Sequence, residues 1–278
     1  MGKFSRSWEM MKESWEVLKE DKKILVFPLL SGLCCLIVLA SFAYPLFGSM
    51  NWQNEEEWET MYKQDWTYYV FLFLFYIVNY FVIVFFNSAL IACAAKRLSG
   101  GEPTVSDGFK AAFSRIGAIF EWAIICAIVG VILQAIEDRS KWLGRLVASI
   151  LGTAWTLVSF LVIPILVIEN QSPFSALKKS TILLKKTWGE QLIGNFGFGL
   201  AFLVLMLPAF AMIIFGFVLH SILMIAAGAV YFIVLLLVES ALTSIYRTAL
   251  YLYARDGQAP SGFDEGLLNS AILPKNNQ

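Results

Sequence analysis

Six apolar blocks, each long enough to cross a bilayer as a helix, leave this chain very few folds to choose from. They run over about 24–47, 67–95, 116–136, 143–168, 192–217 and 221–246, and roughly 20 residues suffice to span the hydrocarbon. Backbone groups in lipid must bond within the segment, so each block is read as a helix. The chain is 58% hydrophobic, above the roughly 45–50% apolar usage that a soluble core absorbs. The expected fold class is therefore all-α: a polytopic six-helix transmembrane bundle, with residues 1–278 forming one domain.

Charge placement orients the bundle. The 21 Lys and Arg balance 21 Asp and Glu, but only Lys63, Arg139, Lys141 and Arg145 fall on the side of the first, third and fifth loops. The positive-inside rule then predicts both termini in the cytoplasm, in a multi-pass protein of the cytoplasmic membrane. Gly48 to Trp66, with Glu55, Glu56, Glu57, Glu59 and Asp65, suits the outer face. An amphipathic stretch, 1–23, precedes the first block, so no cleaved leader is expected. The tail 254–278 offers Phe263, Leu267, Leu268 and Ile272 for docking on the protein.

Between the blocks lie helices with a 3.6-residue rhythm. Phe4, Trp8, Met11, Trp15 and Leu18 share one stripe, and Phe174, Leu177, Thr181, Leu184 and Trp188 share another. Both are predicted to lie along the membrane surface. Phe109, Phe113, Ile116 and Phe120 repeat the spacing, on a helix capped by Asp107 and expected to run straight into the third span. Three such helices, each followed by two spans, suggest three parallel two-helix repeats; any six-span chain starting in the cytoplasm shows a similar rhythm. Asn87-Ser88-Ala89-Leu90 and Glu239-Ser240-Ala241-Leu242 reinforce the repeat.

Chemistry is sparse. Ionisable side chains inside spans are costly and are the first functional candidates. Glu121, Glu169 and Glu239 qualify, with Arg247 two helical turns beyond Glu239, too far to pair along one helix. Asn79, Asn87, Gln134 and Asn195 add polarity at membrane depth. The candidate ligand-binding set is Glu239, Arg247, Asn87, Glu121, Glu169 and Asn195, with a vestibule near the inner face as their expected meeting point. The alternative is that these groups are ordinary interhelical glue. Lys178, Lys179, Lys185 and Lys186 are the candidate lipid-headgroup contacts, although such clusters also simply fix topology.

Other signals are weak. Gly194-x-x-Gly197-x-Gly199 sits in an apolar helix and reads as helix packing, not a nucleotide loop. The lone His220 and the four cysteines, all inside apolar runs, give no metal or disulfide framework. No cofactor, metal or catalytic residue is expected, and no nucleic-acid partner. The expected partners are the lipid bilayer, anionic lipids and other membrane proteins.

The opening RSWEMMKESWEVLKEDKKILVFPLLSG and closing YLYARDGQAPSGFDEGLL resemble an uncharacterised prokaryotic membrane family, domain of unknown function 6159. The segment SPFSALKKSTILLKKTWGE is similar to membrane domains found beside glycerophosphodiester phosphodiesterases, although no catalytic domain of that type accompanies it. The resemblance implies a six-span bacterial membrane protein and supplies no active-site residue. The expected function is non-enzymatic: transport or binding of a small or lipid-like molecule, or else a scaffold or accessory subunit that organises partner proteins or anionic lipids.

Overall fold

The structure is a computed structural model and describes residues 3–48, 66–139, 143–187 and 197–272. It is helical throughout, with no strand among the described residues. Helix α1 (Lys3–Glu20) leads through a 3-10 turn (Lys22–Leu25) into α2 (Val26–Gly48), and α3 (Trp66–Leu98) returns. Next come α4 (Val105–Ser114), α5 (Ile116–Arg139), α6 (Leu143–Val158) and α7 (Val162–Ile168). The chain continues with α8 (Pro173–Thr187), α9 (Gly197–Val218), α10 (Ile222–Asp256) and α11 (Glu265–Ile272). Six helical segments are long and apolar enough to cross a membrane, the fourth composed of α6 and α7. This is a multi-pass membrane protein.

The segment 49–65, Lys141, Trp188 and Asn195 lie outside the described residues, as do the side chains of Arg139 and Lys186. The end holding α1, α4, α8 and α11 is termed the basic end, and the opposite one, where α5 meets α6 and α9 meets α10, the hairpin end. The core gathers at the basic end. Phe27, Leu90, Ile119, Ile165, Phe202 and Tyr251 are fully buried there, whereas Ile222 and Leu223 at the hairpin end are 83% and 82% exposed. Lipid tails serve apolar side chains as well as protein does, so helices need to pack only where shape or polar groups demand it. In α3 the small residues Ser88, Ala89, Cys93 and Ala94 are buried and supply that close approach.

The short helices pack on the bundle largely through small and aliphatic side chains and leave much of their aromatic stripe off the protein core. Helix α1 buries Met10, Met11, Ser14, Val17 and Leu18 but leaves Trp8 and Trp15 exposed. Helix α4 buries Gly108 and Ala112, and α8 buries Ala176 and Ser180, while Phe113 and Phe174 point outward. A helix laid across a bundle approaches closest through small side chains; at Gly108 an added Cβ would sit 2.5 Å from Phe27 Cζ and 2.8 Å from the Ala89 carbonyl oxygen.

Three local expectations are corrected. Thr104, not Asp107, is the N-cap of α4; its Oγ accepts from the Asp107 amide while Asp107 accepts from the Thr104 amide, a reciprocal capping box. Arg115 leaves helical geometry, so α4 does not run straight into α5. Of the glycine run expected to pack closely, Gly194 and the surroundings of Gly197 lie outside the described residues, and at Gly199 an added Cβ would meet nothing within 4 Å.

The fourth span is broken between Val158 and Val162. Val162 N bonds the Ser159 carbonyl at 3.1 Å, leaving the Val158 carbonyl outside the α-helical ladder. Pro164 in the next turn has no N–H to continue that ladder. Ser180 of α8, fully buried, closes the gap: its hydroxyl donates to Val158 O at 2.7 Å and accepts from Leu161 N at 3.3 Å. Irregular backbone at membrane depth needs such partners.

Phe263 and Leu268 of the tail are buried as expected. Ser261 N bonds the Leu98 carbonyl at 3.0 Å, and Asp264 N bonds Glu13 at 3.2 Å.

Candidate functional site

Several cations at the basic end have carboxylate partners. Lys96 Nζ donates to Asp107 at 2.9 Å, Arg97 pairs with Glu20, and Arg255 grips Asp256 at 2.6 Å. Lys96 and the Thr104 amide hold the Asp107 carboxyl well below the usual carboxylate range. Glu169, the C-terminal cap of α7, accepts from Lys179 Nζ at 2.6 Å and from the Tyr251 hydroxyl. Burial pushes the Glu169 carboxyl up, but these two hydrogen bonds and the nearby cations outweigh it and hold it below its ordinary value. Glu169 is therefore an ionised clamp between α7, α8 and α10.

Arg247 differs. Its guanidinium lies 4.7 Å from the centre of the Phe160 ring, at the break in the fourth span. Its Nε is shut off from solvent without a hydrogen-bond partner, and the side chain forms no ion pair with any described residue. Glu239, half-buried on the same helix, likewise has no hydrogen-bond or ion-pair partner among the described residues. The sequence led us to expect each to find a partner elsewhere; among the described residues Arg247 has the Phe160 ring but no hydrogen-bond or ion-pair partner, and Glu239 has neither kind of polar partner. Glu239, Thr243, Arg247, Tyr251 and Arg255 recur every four residues along one ridge of α10.

Depth follows from helix geometry. Ile222 begins α10 beside the hairpin turn. At about 1.5 Å per residue Glu239 lies about 26 Å further along, and Arg247 about 38 Å. Were a hydrocarbon layer of about 30 Å to begin at Ile222 and be crossed at right angles, Glu239 would fall inside its far edge and Arg247 beyond it.

The remaining candidates take separate partners instead of sharing one vestibule. Asn87 Oδ1 accepts from Ser244 Oγ at 3.3 Å, joining α3 to α10. Glu121 points outward, because its neighbour Trp122 is the residue turned inward, stacked at 5.5 Å on Trp155 of α6. Lys178 and Lys185 are exposed on α8, whereas Lys179 is engaged by Glu169. Among the described residues no three His, Cys, Asp or Glu side chains gather to hold a metal ion.

Sequence reasoning missed Phe160, Ser180 and Tyr251. Tyr251 was legible, as it continues the four-residue series from Glu239. The other two act across a helix break that no local pattern announces.

A family model described as Family of unknown function (DUF6159) matches residues 66–263. No curated protein and no solved structure matches the chain.

Proposed function

We propose, for a chain that belongs to the family of unknown function DUF6159, a role that this description leaves open: non-enzymatic binding or transport of an anionic, lipid-like molecule at the basic end. The observation that carries this reading is the Arg247 guanidinium, stacked on Phe160 with its Nε unsatisfied. A planar guanidinium offers paired donors to a phosphate or carboxylate, and its level along α10 matches the headgroup layer. Glu239, about 12 Å deeper on the same ridge, is the polar contact for the glycerol-like region below the anion. The positive-inside rule assigns the basic end to the cytoplasmic face.

The test is thermal stabilisation of the purified full chain by short-chain phosphatidylglycerol. Arg247→Gln should weaken apparent affinity roughly tenfold or more, the cost of losing a charged hydrogen-bond donor. Glu239→Gln should change ligand-induced stabilisation or uptake. Equal stabilisation of wild type and Arg247→Gln would refute the reading.

A scaffold is the second reading, favoured by the uncovered surface of α8, where Lys178, Lys185 and Phe174 are exposed. It requires stable co-purification with membrane-protein partners or association with anionic lipid that is indifferent to Glu239. Reversal of Lys178 and Lys185 should abolish that association; Lys179 is a poor probe because its loss also breaks the Glu169 clamp.

A further inference from the structure

At the hairpin end a polar cavity, about 370 Å³, opens between α3, α5 and α6. Each helix contributes residues three or four apart: Tyr76 and Tyr80 from α3, Gln134 and Glu137 from α5, Arg145 and Ser149 from α6. Its walls are chemically divided. Tyr76 OH already donates to Gln134 Oε1 at 3.3 Å, leaving oxygen lone pairs on both, beside the Glu137 carboxylate. Arg145 faces them with guanidinium donors, and the hydroxyls of Ser149 and Tyr80 make no hydrogen bond to any described residue. Arg145 Nε and Glu137 Oε1 stand 3.9 Å apart, beyond hydrogen-bond reach, at an exposed rim. Gly144 fixes this spacing, since any Cβ there would lie 2.5 Å from the Ile136 carbonyl oxygen.

We propose that this cavity binds a zwitterion composed of a primary ammonium and a phosphodiester, the headgroup chemistry of phosphatidylethanolamine. The ammonium donates to Glu137, Gln134 and Tyr76; the phosphate accepts from Arg145, Ser149 and Tyr80. A quaternary ammonium has no N–H to offer the acceptor wall, so phosphatidylcholine is discriminated against. Glu137 and Arg145 lie two residues from the hairpin ends of α5 and α6, which puts the charged mouth of the cavity about 3 Å in from those helix ends and within reach of a headgroup. The site shares no residue with the Arg247 ridge, so either reading can fail alone.

Native mass spectrometry of the delipidated full chain tests this with phosphatidylethanolamine, phosphatidylcholine and soluble phosphoethanolamine. Wild type should retain phosphatidylethanolamine over phosphatidylcholine by about tenfold; Glu137→Gln should erase most of that preference, whereas Arg145→Gln should weaken retention of both lipids roughly tenfold, since both carry the phosphate. Tyr80→Phe, which removes only a hydroxyl, should weaken retention by a smaller factor. Competition by soluble phosphoethanolamine at equal concentration identifies a free zwitterion as the ligand; its failure to compete, with the lipid retained, identifies the lipid. Equal retention of the two lipids by wild type, unchanged selectivity in Glu137→Gln, or unchanged retention of both lipids in Arg145→Gln overturns the proposal.

Discussion

Ser180→Ala tests whether the break in the fourth span is held from outside that span. The serine is fully buried and its hydroxyl serves two backbone groups, Val158 O at 2.7 Å and Leu161 N at 3.3 Å. Alanine keeps the helix and the volume nearly intact but leaves both groups without this partner. A buried group so orphaned costs about 1–3 kcal/mol in general, whereas interhelical bonds within membranes average about 0.6 and reach about 1.7 kcal/mol. The short bond should approach the upper membrane value and the long one fall below the average, about 1–2 kcal/mol together. At about 2–4 °C per kcal/mol for a chain of this size, the melting temperature should drop by about 2–8 °C. Thr181→Ala is the matched control, since that hydroxyl bonds only the Leu177 carbonyl one turn back in its own helix. Thermal unfolding of the purified protein in one detergent measures both. A Ser180→Ala change within about 0.5 kcal/mol of wild type, or one no larger than the control, would refute the claim that α8 closes the broken span.

Gly108→Ala should destabilise by about 1–3 kcal/mol through overpacking against Phe27 and the Ala89 carbonyl, measured by the same melt. The depressed Glu169 pKa places the clamp's contribution above the unfolded value of 4.5 and removes it as pH falls through the folded value. The melting temperature should therefore fall as pH drops below 4.5, and Glu169→Gln should flatten that part of the profile. Gly262 has φ +86°, and a Cβ there would lie 2.9 Å from Val17 Cγ2, so Gly262→Ala should loosen the tail and speed proteolysis after residue 262 without unfolding the bundle. Single cysteines placed in 172–190 and in 48–66 should label from opposite sides of the membrane; labelling from the same side would remove the six-span topology.

The sequence by itself determined the elements whose physics is local or one-dimensional. Peptide groups in lipid must bond within their own helix, so apolar length alone revealed the six spans. Charge counting adds an expected orientation, because lysines are costly to carry across a membrane, and the labelling experiment tests it. The candidate charges Glu239 and Arg247 were legible for the same reason. What they face was decided by tertiary structure. Helical spacing fixes which residues share a face but not which face turns inward, and here small residues turned inward while Phe113 and Phe174 turned out. Whether a polar group is satisfied depends on a neighbour far away in the chain. Ser180 answers a break in the preceding span, Lys179 and Tyr251 answer Glu169, and among the described residues Arg247 meets the Phe160 ring but no hydrogen-bond acceptor at Nε. Those pairings depend on how helices dock in three dimensions, and no periodicity along one strand of sequence encodes that docking.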